Sequence, residues 1–117
     1  MPTINPTVSK PGEFQIMATW LGITQGDTIV GANIGSYPDQ SVHVDGGFGG
    51  STITIEGSMQ TTTGGPGSWI VLTDAFNTTL SFTTTSIKNV LQNCYWVRPQ
   101  ISGGAGASVN VYLIGNG

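Results

Sequence analysis

The stretch Asp45-Gly46-Gly47-Phe48-Gly49-Gly50-Ser51-Thr52-Ile53-Thr54-Ile55-Glu56-Gly57-Ser58 decides the fold. Its second half alternates, with Ile53 and Ile55 on one side and Thr52, Thr54 and Glu56 on the other. That is the period of a strand with one buried face. Its first half is a glycine-rich turn. Glycine reaches backbone conformations closed to other residues, so the Gly pairs flanking Phe48 predict a sharp corner that delivers one aromatic ring. Strand-like runs lie on both sides, which makes residues 52–58 the expected central strand of an all-β domain. The G-x-x-G spacing within residues 46–50 opens a strand and not a helix, so it fails as a phosphate cradle on context.

Working outward, residues 14–23 put Phe14, Ile16, Ala18 and Trp20 on one face and Gln15, Met17, Thr19 and Leu21 on the other. A strand with apolar groups on both faces is buried on both sides or meets a neighbour. Short strands are expected at 28–30 and 40–45, the latter with Val42 and Val44 inward and His43 outward. Residues 32–39 read as a loop. Downstream, residues 61–67 (Thr-Thr-Thr-Gly-Gly-Pro-Gly) read as an exposed tip. Strands follow at 69–73 and 80–84. Ser86, Ile87, Val90 and Leu91 have the N-cap and spacing of a short helix over 86–92. Residues 95–101 read as a strand that Pro99 confines to an edge or a bulge. Residues 108–114 alternate, with Val109, Val111 and Leu113 inward and Asn110 and Tyr112 outward. With Gly103-Gly104 between them, the last two strands predict a terminal hairpin. About eight short strands at roughly 8–12-residue spacing indicate an antiparallel β-sandwich, jelly-roll or immunoglobulin-like. Residues 1–12, with Pro2, Pro6 and Pro11, read as an extended arm that the fold does not need, and 13–117 as one domain.

The chain has 117 residues, of which 8% are charged, against about 25% in ordinary soluble domains. A neutral Thr/Ser/Asn/Gln/Gly surface is poor for a free monomer and suits a protein packed against copies of itself or a partner. The net charge is −3, and the three basic residues (Lys10, Lys88 and Arg98) are scattered. No phosphate-tracking patch follows, so nucleic acid is not an expected partner. No run approaches the ~20 apolar residues of a membrane-spanning helix, so neither is a membrane. Residues 1–12 lack the apolar run of a signal peptide, so a product made and assembled in the cytoplasm is expected. Cys94 is the one cysteine and cannot close an intrachain disulfide.

Candidate chemistry is sparse. Nucleophilic catalysis needs a nucleophile, a base and an orienting group, and no motif joins Cys94 to His43, the one histidine. Zinc would need two carboxylates beside them. Asp39 and Asp45 are a conceivable calcium pair at one edge of the sandwich, without the spacing of an EF-hand loop. Glu56 stands alone, whereas glycosidase chemistry needs two carboxyls in one cleft. No catalytic residue, metal or cofactor is therefore expected. The remaining acidic residues lie in turns, where Asp caps its own backbone. Trp20, Trp69, Trp96 and Tyr112 read as interface anchors in preference to a sugar-stacking platform. Pro2, Ile4, Pro6 and Val8 of the arm read as contacts with a neighbour.

Taken together, the run 46–58, the Trp69 strand ending in Leu72-Thr73-Asp74, the Tyr95-Trp96-Val97-Arg98-Pro99 strand and the Gly103-Gly104 turn resemble small structural proteins of tailed bacteriophages. The resemblance covers roughly residues 14–115. It implies a non-enzymatic component on the outer capsid surface of the virion, a decoration ("cement") protein that binds the major capsid protein, with self-association as a homotrimer and then a dimer. A tail or fibre module binding a host glycan is the alternative it leaves open.

Overall fold

Alternating side chains become two facing sheets in the computed structural model, which describes residues 3–35, 37, 39–60, 68–92, 94–104 and 106–116. The strands are β1 (Thr3–Ile4), β2 (Thr7–Ser9), β3 (Gln15–Ile23), β4 (Thr28–Ile29), β5 (Ala32–Asn33), β6 (Asp39–Gly47), β7 (Thr52–Ser58), β8 (Ile70–Val71), β9 (Ser81–Phe82), β10 (Ser86–Val90), β11 (Trp96–Ser102) and β12 (Ser108–Asn116). One sheet has the order β10-β6-β12-β3-β2 and the other β5-β11-β7-β8, with β9 also on β7. All pairings in these two sheets are antiparallel; only β1 and β4, in a small sheet of their own, run parallel.

The pairing is nested. Strand β3 pairs with β12, β5 with β11, β6 with β10, and β7 with β8 and β9. First meets last and the middle strands meet each other. This is the connectivity of a jelly roll, a long hairpin rolled up so that the chain passes from sheet to sheet at its corners. The all-β antiparallel sandwich read from the sequence is therefore this protein's fold.

The inner faces fill one core. Ile16, Ala18 and Trp20 of β3, Val42 and Val44 of β6, Ile53 and Ile55 of β7, and Val109, Val111 and Leu113 of β12 are buried, as their alternation predicts. Strand β7 lies inside its sheet, between β11 on one side and β8 and β9 on the other. The glycine-rich corner forms at Phe48, whose carbonyl accepts from the Ser51 nitrogen at 2.8 Å. Gly49 and Gly50 between them have φ of 58° and 83°, conformations that side chains with a Cβ resist. The turn carries the chain from one sheet to the other and packs half-buried Phe48 on the core.

Several elements depart from the sequence reading. The expected helix over 86–92 is strand β10 and its exit. Its backbone pairs in register with β6, and its apolar residues share no buried face, Ile87 being 66% and Leu91 51% exposed while Val90 is buried. One or two helical turns are marginal alone, so the sheet ladder wins. The expected terminal hairpin is absent. β11 and β12 lie in different sheets, and Gly103-Gly104 is a crossover. Pro99 sits beyond the reach of β5, which covers only Trp96 and Val97, so the edge position expected of a proline holds. The arm is extended, but its described part lies along its own domain. β2 pairs with β3, β1 pairs with β4, and the Val30 nitrogen donates to the Ile4 carbonyl at 2.9 Å. The tip at 61–67 lies outside the described residues.

Candidate interaction surface

The residues expected to make contacts fall in four different places. Trp20 is 0% exposed, and its Nε1 donates to the Val30 carbonyl at 2.8 Å. It is a core residue, not an interface anchor, because alternation along β3 turns it inward with Ile16 and Ala18. Ile4, half-buried, packs on the core, Pro6 is half-buried and Val8 is 44% exposed, all along one open side of the sandwich. Pro2 lies outside the described residues. Trp69 and Trp96 are half-buried at the β5-β11-β7 sheet. Tyr112 lies on the outer face of the other sheet, so these residues do not form one surface.

Around Trp69 the outer face is locked. Arg98 and Glu56 are directly opposite on β11 and β7, and Arg98 Nε donates to Glu56 Oε1 at 2.9 Å. The same guanidinium lies 4.3 Å from the Trp69 ring centroid. On a partly exposed face each such contact is worth about 1 kcal/mol or less. A Cβ at Gly31 would lie 2.5 Å from Trp69 Cη2, so the indole packs down where Gly31 leaves room. With Trp20 inside and Trp69 held between Arg98 and Gly31, these indoles do not offer a flat platform for a sugar ring.

Around Tyr112 the other sheet is more open. Tyr112 pairs with His43 across β12 and β6, with ring centroids 5.4 Å apart. His43 Nε2 lies 3.9 Å from Asp45 Oδ2, and the Asp45 Oδ1 accepts from Asn110 Nδ2 at 3.1 Å. Beside this polar end lies an apolar hollow of about 310 Å³, walled by Met17, Ser41, His43, Ile87, Tyr112 and Ile114. A second hollow of about 280 Å³ lies at the β8 edge, between Met59, Ile70, Val71 and Cys94. Cys94 is a free, buried thiol, and burial pushes its pKa up.

The groups weighed for chemistry stay apart. His43 is on the outer face of one sheet, while Cys94 is buried beside Gly57 of the other. Asp39 and Asp45 do not meet at an edge. They lie at opposite ends of a single extended strand, six residues apart, or about 20 Å at strand rise. Among the described residues no group of three or more His, Cys, Asp or Glu converges to hold a metal ion. Asp27 accepts from the Thr24 nitrogen and hydroxyl, and Asp74 from the nitrogens of Phe76 and Thr78, so these two cap their turns as expected. No described helix is long and apolar enough to cross a membrane.

No protein-family model matches the chain, and no curated protein does. The fold is shared with a solved structure. The crystal structure of the SPBc2 prophage-derived protein YomS matches 93% of this chain and 100% of its own, with 12% identity and a TM-score of 0.64. A cupin domain from Bordetella pertussis matches 96% of this chain and 92% of its own, with 14% identity and a TM-score of 0.43. A Bacillus endospore appendage structure, whose subunits form disulfide-linked pili, matches 97% and 89%, with 14% identity and a TM-score of 0.31. Of these, the likeness to YomS alone is strong enough to show a shared fold.

The sequence reading misses the exposed apolar residues beside the hollows. Phe76, inside the turn 74–77, is 89% exposed, and Met59 and Ile70 are 63% and 65% exposed. A large aromatic in an Asp-x-x-Asn turn was the available signal, since nothing local buries a ring there.

Proposed function

We propose that this chain is a structural protein of a tailed-phage particle, a non-enzymatic decoration protein. It binds the outer surface of the head, bridges major capsid proteins and works as a homotrimer. The observation that carries this reading is the end-to-end match to a prophage-derived protein, which covers 93% of this chain and all of the other, so that one jelly roll accounts for both. Two further observations support it. Only 8% of the residues are charged, a composition suited to packing against neutral protein surfaces. His43 and Cys94, the two side chains best suited to base and nucleophile, are held apart, His43 on the outer face of one sheet and Cys94 buried against Gly57 of the other. A capsid shell under internal pressure gains from a rigid clamp across subunit junctions, and a two-sheet sandwich is stiff.

The test is a cryo-EM reconstruction of the particle, together with co-sedimentation of the purified protein with heads that lack it. Density for the jelly roll at regular positions on the head exterior, and saturable co-sedimentation, are expected. Density confined to the tail, or its absence from the particle, sinks the reading.

A further inference from the structure

The two open sides of the sandwich are finished differently. On one side the chain's own residues close the edge, β2 lying on β3 and β1 on β4. On the other side, β10 ends one sheet and β8 the other. The two edges are tied together there, the Leu91 nitrogen donating to the Thr73 carbonyl at 2.9 Å. No strand covers this side among the described residues. It also carries six of the eleven large hydrophobic residues that are exposed among those described: Met59, Ile70, Val71, Phe76, Ile87 and Leu91.

The charges on this side are already engaged. Lys88 turns inward, its Nζ donating to the Ser81 carbonyl at 3.0 Å and lying 5.0 Å from the Phe82 ring centroid. The Asp74 carboxylate accepts from two backbone nitrogens of its own turn. With Lys88 and Asp74 bonded to backbone of their own chain, the apolar residues dominate this side, and a chain that is itself 8% charged matches it. The side is also complementary to itself in shape. Phe76 is a protruding ring, 89% exposed. The hollow of about 310 Å³ walled by Met17, Ile87, Tyr112 and Ile114 is an apolar recess of a size for such a ring. The hollow opens on the outer face of the β10-β6-β12-β3 sheet, and Ile87 of the β10 edge borders both it and the Phe76 turn, so knob and recess adjoin at that edge.

We propose that a second copy of this chain docks on the β8–β10 side, with Phe76 of one copy seated in the Met17/Ile87/Tyr112/Ile114 hollow of the next. A surface bearing both knob and recess is what a contact between identical chains requires, and it closes as a pair or as a ring. The inference deepens the self-association in the proposed function and does not depend on where the protein sits on a particle.

The full chain and three variants, Phe76→Ser, Ile87→Glu and Leu21→Glu, are compared by sedimentation velocity and light scattering, with circular dichroism to confirm folding. The wild type is expected to associate at micromolar concentration. Phe76→Ser and Ile87→Glu should weaken association at least about 30-fold, the loss typical of a central aromatic anchor. Leu21→Glu, four residues along β3 from Met17 and outside the lining of the hollow, should associate like the wild type. If Phe76→Ser misfolds, the Ile87→Glu result decides alone, because Ile87 is 66% exposed on an edge strand. A monomeric wild type, or variants that associate as it does, overturns the proposal. A wild type that is monomeric in solution yet decorates heads through Phe76 overturns it as well, assigns this side to the capsid, and leaves standing the head-binding part of the proposed function but not its homotrimer.

Discussion

At Gly104 the backbone has φ of 72°, and an added Cβ would lie 2.5 Å from the Ser51 nitrogen and 2.7 Å from the Gly49 carbonyl oxygen. Those atoms are backbone of the 48–51 corner, so the two crossovers pack on each other and neither can swing aside. Gly104→Ala is expected to cost roughly 1–3 kcal/mol, the range for a residue forced into a disfavoured backbone region. Chemical denaturation measures it, and an unchanged midpoint would show that the corners do not interlock. Cys94 makes a different prediction. Burial raises its thiol pKa, so the folded chain holds that proton to higher pH than the unfolded chain. The stabilisation is complete below the unfolded thiol's pKa and is lost as pH rises through the folded one. Thermal midpoints should therefore fall more steeply on the alkaline side for the wild type than for Cys94→Ala; parallel slopes would exclude the thiol. At this scale the inward and outward assignment of Val42, His43, Val44, Ile53, Ile55, Val109, Val111 and Leu113 was legible, because a period of two is a local property. The solvent position of Phe76 was not, because a turn residue has no period to read.

Among the elements, the N-terminal strands change most from the sequence reading. Proline-rich, non-alternating residues looked dispensable, yet β2 pairs along β3 at Thr19, Ala18 and Met17, and Ile4 packs on the core. Deleting residues 1–9 would strip a ladder from β3 and uncover part of the core. A lower thermal midpoint with the sandwich still folded is expected. An unchanged midpoint would return these residues to the status of a free arm. Strand β10 teaches the same lesson from the other end. Its Ile87, Val90 and Leu91 spacing suggested a helix, but five consecutive residue pairs with β6 decide the backbone, and such pairing is set by a partner some forty residues away. Strands β3, β6, β7 and β12 were legible because each is long enough for its alternation to stand out. The two-residue strands β4, β8 and β9 fall inside the short strands read at 28–30, 69–73 and 80–84, whereas β5, within residues read as a loop, owes its form to its pairing with β11.

For the molecule as a whole, turn spacing was enough to read an antiparallel sandwich, but the order of strands was not legible. A Gly-Gly turn looks the same whether it closes a hairpin or carries the chain to the opposite sheet, and that ambiguity produced the mistaken terminal hairpin. The nested pairing has a kinetic consequence. Gln15 and Asn116, hydrogen-bonded at 3.0 Å, are 101 positions apart, and β12 lies between β3 and β6 in the middle of its sheet. A growing polypeptide cannot complete that sheet until residues 108–116 have left the ribosome, so maturation waits for almost all of the chain. Loops this long close slowly, and refolding from denaturant is expected on a millisecond-to-second scale in stopped-flow fluorescence. Nascent chains stalled before residue 108 should be digested by protease along their whole length. Until β12 arrives, β3 and β6 are unpaired, adhesive edges in a crowded cell, and the time they spend open is the interval in which one nascent chain can pair with another.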